Sequence, residues 1–291
     1  MATKYFILSR PLHKPANDKT RDEIITTTLD KLNFILPVNN QAYYTSNGLF
    51  ENNLIEWCKQ FGASNKNFLD IGAHSGTYSL CLAANFAQIY AFEPQRMTFY
   101  TLCGSVALSN LRNIQCLNFG LGSSVQSGST ELKIISADGG GSTIQPVHSD
   151  QQILAVETVE IRTLDSLQLE NVGFIKMDVE GHEFDIILGA QRTFEFDRPV
   201  VLWESSQTIS LQNVENCFIF FSKFNLLFKL SSSVFKGLIL SVCVSYNSCN
   251  FLFVSCKFIK FNCKFAMSRA SVSFSFDLTL FLCVKSLIFT F

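Results

Sequence analysis

The sequence predicts an α/β fold in which crossover helices connect the strands of a parallel sheet. Three observations lead to this prediction. Apolar runs of strand length alternate with segments of helix length, glycine or Glu-Pro turns end the strands, and 47% of the residues are apolar while 16% are charged. A chain of 291 residues is about twice a typical domain length, so we expect one large domain or a domain with an appendage. The composition excludes wholesale disorder and collagen-like structure.

The first half of the folded domain is predicted as alternating helices and strands. A helix is expected over 49–61, because its apolar residues fall mostly on one stripe and Gly62 supplies a C-terminal stop. The apolar run 67–71 predicts a buried strand that breaks into the glycine turn 72–76. The units that follow are a helix over 77–86, a strand over 88–92, a helix over 95–109 and a strand over 114–119.

The second half contains a different kind of segment before the alternation resumes. Residues 123–150 are rich in Ser, Gly and Thr and predict a hairpin or a flexible flap, which would cover an acceptor or form a surface loop. The alternating pattern over 153–161 indicates an exposed or edge strand. The remaining elements are a turn or short helix over 163–167, a strand over 174–177, a helix over 182–194 and a strand over 199–203.

The chain divides sharply near residue 210. Residues 1–210 hold 22 acidic and 15 basic residues, whereas residues 211–291 hold 2 and 8, with 16 of the 29 Phe, 6 of the 10 Cys, 1 of the 15 Gly and no Pro. We therefore predict a leader of short helices and loops over 1–48, a folded domain over 49–210 and an atypical tail over 211–291 that leaves the sheet incomplete or irregular. Two interpretations of the tail stay open: a hairpin of 238–246 and 251–260 that supplies missing strands, or sequence not shaped as a fold, such as translated intron or a shifted frame.

Three acidic residues end predicted strands and therefore mark a ligand site. In an open parallel sheet, ligands bind beyond the carboxyl ends of the strands, where Asp70, Glu93 and Asp178 lie. Gly72 and Gly76 let the backbone pass close to a ligand, and the next helix points its N-terminus at it. A carboxylate such as Glu93 can accept hydrogen bonds from both hydroxyls of a ribose.

The glycine spacing narrows the choice of ligand. The turn is not the Gly-x-Gly-x-x-Gly of dinucleotide enzymes, which disfavours an NAD-dependent enzyme, and no Walker-type Gly-Lys-Ser is present. The interval from Gly76 to Glu93 spans one helix and one strand, as a ribose site in a βαβ unit requires. A nucleoside without a pyrophosphate fits better, which indicates S-adenosylmethionine. Plain strand-to-helix punctuation is the structural alternative.

Six motifs occur in an order that resembles the FkbM family of S-adenosylmethionine-dependent methyltransferases. The resemblance covers roughly 49–205 and implies a Rossmann-like, class I methyltransferase fold, with a seven-stranded sheet and flanking helices. It also implies methyl transfer to oxygen, on hydroxyls of sugars, polyketides or other small molecules. The motifs are FLDIGAHSGTYSL (68–80), YAFEP (90–94), NFGLG (118–122), TLDSL (163–167), IKMDVEGHEFDIILGA (175–190) and RPVVLWE (198–204).

The resemblance also assigns a cofactor site. It places the methionine end of the cofactor near the turn after the first strand, the ribose at the Glu-Pro end of the second strand, and adenine near the NFGLG motif. His74 stands where the family commonly has Asn. The implied cofactor residues are Asp70, Gly72, His74, Gly76, Glu93, Leu121 and Gly122.

Methyl transfer to an alcohol needs alignment of the acceptor and help with its proton, from a base or a metal ion. Asp178, Glu180 and His182 are the catalytic candidates, with His182 as a general base. Asp178 and Glu204 end neighbouring predicted strands and are the carboxylates that would bind Mg²⁺. The alternative interpretation is that His182 is exposed to solvent and has no catalytic role.

The expected partner is a small-molecule or carbohydrate hydroxyl acceptor. Nucleic acid is not expected, because residues 1–210 carry net negative charge and no aromatic-basic patch, and no obligate protein partner is indicated. The short apolar run near the start and the interrupted apolar runs elsewhere predict neither a signal peptide nor a membrane helix, so we expect a cytoplasmic location. An inactive or cofactor-binding remnant with a disrupted C-terminus is the alternative function.

Overall fold

A computed structural model describes residues 5–11, 31–147, 151–205, 227–232, 239–243, 267–268 and 271–272. The strands are β1 (Tyr5–Pro11), β2 (Lys31–Pro37), β3 (Ala63–Ile71), β4 (Phe86–Phe92), β5 (Ile114–Leu117), β6 (Gly120–Leu121), β7 (Gly128–Ile134), β8 (Ala155–Arg162), β9 (Val172–Met177), β10 (Val200–Ser205), β11 (Leu227–Ser232), β12 (Ile239–Cys243), β13 (Met267–Ser268) and β14 (Ser271–Val272). The helices are α1 (Gln41–Asn47), α2 (Asn52–Cys58), α3 (Thr77–Leu82), α4 (Arg96–Leu108), α5 (Glu183–Leu188) and α6 (Gln191–Asp197).

The largest sheet has seven strands in the order β12-β11-β10-β9-β3-β4-β5. Parallel pairing joins β3 to β4 and to β9, β4 to β5, and β9 to β10. From β3 the chain first builds outward through β4 and β5, then returns to the other side of β3 and builds through β9 and β10. The carboxyl ends of β3, β4 and β9 therefore lie side by side at a switch point in strand order. The predicted α/β class with a Rossmann-like parallel sheet is confirmed.

Buried apolar side chains cover both faces of this sheet, as a parallel sheet requires. On one face, the residues of β3 and β9 pack with α5 and α6, and Trp203 is fully buried among them. On the other face, Phe68 and Phe174 pack with α2 and α3. Alternate residues of one strand thus serve two cores, which explains why the buried parts of these strands are rich in apolar residues.

The segment before the domain forms a hairpin, and the prediction of short helices and loops over its first residues was wrong. β1 and β2 pair antiparallel, and β2 packs on α4. The backbone N–H groups of Asn33 and Ile35 donate to the hydroxyls of Ser109 and Ser105, at 2.8 and 2.9 Å. Serine hydroxyls of a helix therefore satisfy a strand edge that would otherwise lack acceptors.

The helix predicted over 182–194 is two helices, α5 and α6. The break falls at Gly189, where the carbonyl of Gly122 leaves no room for a Cβ and so requires glycine. The carboxylate of Asp165 then accepts hydrogen bonds from the backbone N–H groups of Arg192 and Thr193, at 2.8 and 3.0 Å. These bonds satisfy donors at the start of a new helix and make the break favourable.

A second, smaller sheet has the order β6-β8-β7, with β7 antiparallel to β8. The strand predicted over 153–161 is β8, which alternates exposed and buried residues toward its end. The segment 135–147 leaves β7 and crosses the carboxyl edge of the main sheet. The region predicted over 123–150 as a hairpin or a flap holds β7, whose antiparallel partner β8 lies beyond it, and the covering loop.

In the tail, β11 pairs in parallel with β10, and β12 pairs antiparallel with β11. These strands extend the main sheet, although β11 lies before the predicted hairpin and only β12 overlaps it. The second predicted strand, 251–260, lies outside the described residues. Among the helices that the structure describes, none has both the length and the apolar character needed to cross a membrane.

Candidate functional site

A cavity of about 320 Å³ lies beyond the carboxyl ends of β3, β4 and β9. The covering loop 135–147 and the segment around α1 close over it from above. The lining residues that come from the ends of these three strands are Ile71, Gly72, Phe92, Glu93, Lys176 and Asp178.

The turn after β3 passes very close to the neighbouring strand end. Gly72 has φ of +75°, and the carbonyl oxygen of Asp178 occupies the position where a Cβ on residue 72 would lie. The N–H groups of Gly72 and Ala73 both donate to the carbonyl of Phe92, at 3.0 and 2.9 Å. The turn is thus fixed to β4 on one side and β9 on the other, and glycine is required by both the space and the backbone conformation.

Glu93 ends β4 with its carboxylate held by backbone donors. The N–H of His74 donates to Oε2 and the N–H of Gln95 donates to Oε1, each at 2.9 Å. The residue is 7% exposed and lines the cavity. Burial raises the pKa of Glu93, while the charge of His74 and the two backbone hydrogen bonds act in the opposite direction. Each carboxylate oxygen keeps a further lone pair with which it can accept a ligand hydroxyl.

His74 connects the turn to the covering loop. It has φ of +50°, and its Nε2 lies 2.9 Å from the carbonyl oxygen of Asp138. The Asp138 carboxylate in turn accepts a hydrogen bond of 2.9 Å from Asn40 Nδ2. At this position a longer side chain than the Asn of the resembled family reaches the loop above the cavity.

Asp70 and Gly76 lie behind the turn and do not contribute to the lining. Asp70 is fully buried, and its Oδ2 accepts hydrogen bonds from the Ser79 N–H at 3.0 Å and hydroxyl at 2.6 Å. Burial raises the pKa of Asp70, while Lys176 and Ser79 act to lower it. Gly76, at φ of +86°, begins α3, and a Cβ there would lie 2.6 Å from a Leu102 methyl. Both residues therefore shape the turn from below.

Lys176 lies between two carboxylates beneath the cavity floor. Its Nζ lies 3.2 Å from Asp178 Oδ2 and 3.9 Å from Asp70 Oδ1, and it donates to the carbonyl of Gly72 at 3.1 Å. The ammonium also lies 5.2 Å from the ring centroid of Tyr78. This buried ion-pair network joins β3 to β9 directly under the turn.

Two of the three catalytic candidates, Glu180 and His182, have a side-chain atom without a hydrogen-bond partner among the described residues. The Glu180 side chain lines the cavity and makes no hydrogen bond or ion pair within the described part of the chain. Burial, and then the charge of Asp178, raise the pKa of Glu180. Asp178, by contrast, is engaged by Lys176.

His182 lines the cavity and is only 4% exposed, so the alternative interpretation, in which it is exposed to solvent, was wrong. Its Nδ1 lies 3.3 Å from Asp185 Oδ2 and 3.1 Å from Gln145 Nε2 of the covering loop. Its buried Nε2 has no hydrogen-bond partner. Desolvation lowers the pKa of His182, and Asp185 opposes that shift. The Asp185 carboxylate accepts from a protonated Nδ1, whereas the Gln145 amide nitrogen donates to an unprotonated Nδ1, so the two neighbours favour opposite tautomers.

The loop between Asp178 and α5 is closed by Glu183. Its Oε1 accepts long hydrogen bonds from the N–H groups of Gly181 and Val179, at 3.3 and 3.4 Å, while Oε2 has no partner. Burial raises the pKa of Glu183 to about 7. The side chain is 1% exposed and does not line the cavity, so its role is to fix the loop that presents Glu180.

The two residues expected near adenine occupy different positions. Leu121 lines the cavity, whereas Gly122 lies behind the lining. A Cβ on Gly122 would lie 2.9 Å from His182 Nε2, so glycine leaves the space that the imidazole ring occupies.

The described residues do not fit a Mg²⁺ site at Asp178. No group of three or more His, Cys, Asp or Glu side chains with the arrangement of a metal site occurs in the described ranges. The Lys176 ammonium lies against the Asp178 carboxylate, where a metal ion would have to bind. Glu204 belongs to β10, and its side chain lies outside the described part of the structure.

The sequence analysis missed the residues that border the cavity mouth. Asn40, Tyr44, Phe50 and Glu51 all line it, and they come from the segment that was predicted as a leader or as a plain helix. One signal is structural: the non-glycine residues Glu51, His74 and Glu180 all have positive φ and all line the cavity. Such backbone strain often concentrates at functional sites.

The family model and the curated relatives that match this chain are all methyltransferases. The family described as "Methyltransferase FkbM domain" matches residues 70–229. The hexuronic acid methyltransferase AglP of Haloferax volcanii is 29% identical over 127 residues, which cover 41% of this chain and 48% of that protein. Methyltransferase 1 of Beauveria bassiana is 27% identical over 143 residues, which cover 42% of this chain and 57% of that protein. The chain thus spans about half the length of the curated relatives that it matches.

Two solved structures are also similar to the chain. The methyltransferase FkbM of Methylobacillus flagellatus matches at 21% identity with a TM-score of 0.34, covering 47% of this chain and 32% of that chain. A Streptococcus mutans protein described as a methyltransferase, solved in complex with SAH, matches at 10% identity with a TM-score of 0.28. The match covers 60% of this chain and 70% of that chain.

Proposed function

The chain belongs to the FkbM family of methyltransferases, and from that premise we propose that it transfers the methyl group of S-adenosylmethionine to a hydroxyl oxygen of a small molecule or sugar. The observation that carries this proposal is the pairing of Glu93 with the Gly72 turn at adjacent strand ends. A carboxylate with free lone pairs and a backbone that a ligand can approach closely are what a nucleoside cofactor requires.

The cavity suits this cofactor in charge as well as in shape. S-adenosylmethionine carries a sulfonium and an ammonium against one carboxylate, so it is a net cation. Acidic side chains that include Glu93, Asp138 and Asp178 line the cavity. We assign Glu93 to the ribose, the 72–74 turn to the methionine end, and Leu121 to the adenine. Asp70 and Gly76 support the turn from behind, and Gly122 makes room for His182.

A sugar-type acceptor is the substrate class that we propose. The name of the archaeal relative states that it acts on a hexuronic acid. A sugar agrees with the expected hydroxyl acceptor, and the aromatic residues Tyr44 and Phe50 at the cavity mouth offer apolar surfaces on which a sugar ring can pack.

The chemistry asks the protein for alignment and for a proton acceptor. When bound, the cofactor supplies a methyl carbon that is already activated by its positive sulfur. The acceptor oxygen forms a bond to that carbon while the carbon–sulfur bond breaks, and the hydroxyl proton must leave. We assign the proton to the Glu180 carboxylate, because it lines the cavity without a partner and burial raises its pKa toward the range useful for a base. His182, whose side chain also lines the cavity, is the second candidate for this role.

No metal ion enters this proposal, because Lys176 already neutralises Asp178. The role left to Asp178 is structural: its carbonyl supports the Gly72 turn, and its carboxylate anchors the lysine.

The test is calorimetric titration of the full chain with S-adenosylhomocysteine, followed by assay of methyl transfer to a panel of hydroxylated acceptors. Saturable binding with turnover supports the proposal. Binding without turnover on any acceptor favours the inactive, cofactor-binding alternative. Absence of binding by protein that circular dichroism shows to be folded contradicts the proposal.

A further inference from the structure

The cavity lining holds more carboxylate groups than ammonium groups. Among the described residues, five carboxylates and one ammonium contribute to its surface. The carboxylates are those of Glu51, Glu93, Asp138, Asp178 and Glu180, and the ammonium is that of Lys176. The single net positive charge of the proposed cofactor offsets only part of this excess. The space left for an acceptor is therefore a region of negative potential.

The lysine of the cavity is not available to an anionic ligand. Its Nζ is already within 3.2 Å of Asp178 and 3.9 Å of Asp70, and it donates to the carbonyl of Gly72. Turning it toward a ligand would leave Asp70, which is fully buried, without its counter-ion. Breaking a buried pair in that way is strongly unfavourable.

A carboxylate in the cavity wall instead needs hydrogen-bond donors. The Glu180 side chain lines the cavity and makes no hydrogen bond to any described residue, and the charge of Asp178, two positions earlier, acts on it. Hydroxyl groups can donate to this carboxylate, whereas a second carboxylate or an ionised phosphate cannot.

We propose that the acceptor is an uncharged polyhydroxylated compound of the neutral-sugar class, and that carboxylated and phosphorylated hydroxyl compounds are rejected by the acidic cavity, which would distinguish this chain from the archaeal relative named for a hexuronic acid. This inference rests on the proposed function, because it names the acceptor of the same site. The selectivity arises through repulsion: an anion brought beside Glu180 and Asp178 would meet like charge, and Lys176 is the one lysine or arginine in the described lining.

The experiment measures transfer of a radiolabelled methyl group from S-adenosylmethionine to sets of sugars that share a ring and differ in the group at C6, which is neutral or anionic. Glucose, glucuronic acid and glucose 6-phosphate form one set, and galactose, galacturonic acid and galactose 6-phosphate form another. The full chain is used, and S-adenosylhomocysteine binding is measured on the same preparation. We expect turnover of the neutral member to exceed that of either anion by about tenfold or more, since like charges at close range cost at least that factor.

Equal or faster turnover of a carboxylated or phosphorylated sugar overturns this inference and leaves the proposed function intact. Turnover of no sugar by protein that binds S-adenosylhomocysteine overturns both the inference and the proposed transfer to a hydroxyl. Absence of cofactor binding by folded protein overturns the proposed function itself.

A charge variant separates repulsion from simple steric fit. Glu180→Gln removes one negative charge with little change of shape. We expect it to slow all turnover, because Glu180 is the assigned proton acceptor, and to narrow the ratio between glucose and glucuronic acid severalfold. The matched control Glu195→Gln removes a charge from an exposed residue of α6 and should leave the ratio unchanged. An unchanged ratio in Glu180→Gln, with a folded protein, counts against the charge argument.

Discussion

The carboxylate of Glu93 accepts a 2.9 Å hydrogen bond from the backbone N–H of His74, and it thereby joins the end of β4 to the turn after β3. A second backbone donor, Gln95, holds the other oxygen at the same distance. The carboxylate is thus oriented by the fold before any ligand arrives. Orientation of this kind reduces the entropy that binding would otherwise cost.

The Gly72 turn should tolerate no side chain. In Gly72→Ala, the Cβ would overlap the carbonyl oxygen of Asp178, and φ of +75° is unfavourable for alanine. We expect a loss of about 1–3 kcal/mol in the free energy of unfolding, together with loss of cofactor binding. Urea unfolding and calorimetry measure the two effects. For stability, Gly140→Ala is the control, since its Cβ would meet only an ordinary contact at 3.4 Å, and wild-type stability of Gly72→Ala would contradict the account.

Lys176 should be essential to stability, although it is a single charged residue. Lys176→Met leaves the carboxylates of Asp70 and Asp178 without their shared cation, and we expect a loss of about 3–5 kcal/mol in the free energy of unfolding. The exposed pair of Lys59 and Glu56 provides the comparison, with side chains 38% and 56% exposed. Lys59→Met should cost no more than about 1 kcal/mol. Similar losses in the two variants, measured by urea unfolding, would show that burial does not strengthen the inner network.

Glu183 should make stability fall as pH rises. Its pKa is raised by burial from 4.5 to about 7, so the folded protein retains a proton that the unfolded chain releases in that interval. The contribution is fully present below pH 4.5 and is lost as pH rises through about 7. Glu183→Gln should therefore reduce the decline between these pH values by roughly 3 kcal/mol, as 1.36 kcal/mol per pKa unit requires.

The measurement for Glu183 is urea unfolding of the wild type and the variant at a series of pH values. Glu195→Gln, on the surface of α6, is the control and should follow the wild-type curve. A variant curve parallel to that of the wild type would rule out Glu183 as the group responsible.

The covering loop should open more often when His74 is shortened. In His74→Asn the backbone hydrogen bond to Glu93 is retained, but the side chain no longer reaches the carbonyl of Asp138, which Nε2 contacts at 2.9 Å. Hydrogen–deuterium exchange followed by mass spectrometry should show faster exchange in peptides that cover 136–144, while peptides from β3 and β4 stay protected. Unchanged exchange of the loop would mean that His74 does not hold it.

The sequence was sufficient to predict the parts of the fold that depend on local apolar runs. The parts of β3, β4 and β9 that are buried on both faces are rich in apolar residues, and Asp70, Glu93 and Asp178 could be placed at or just beyond their ends. β2 was missed, although Leu32, Phe34 and Leu36 alternate as a half-buried strand requires. That alternation is short, and its partner α4 lies more than sixty residues further along the chain.

The site could be predicted only where residues that are close together in the sequence form it. The Gly72 turn and the Glu93 strand end are such cases. The contact between His74 and Asp138 spans 64 positions, and the bond between Asn40 and Asp138 spans 98, so no local pattern announces either. Lys176 stands within a strand in the sequence, and its ion pairs with Asp70 and Asp178 become visible only in the fold.

The central claim is that Glu93 holds the ribose of an adenosine-containing cofactor. The most direct measurement is the dissociation constant of S-adenosylhomocysteine for the wild type, for Glu93→Ala and for the exposed control Glu131→Gln, by calorimetry on protein whose fold is checked by circular dichroism. The account predicts a loss of affinity of about tenfold or more in Glu93→Ala, since hydrogen bonds to a charged group are worth about 1.5–3 kcal/mol, and none in the control. Full affinity in a folded Glu93→Ala variant would contradict it.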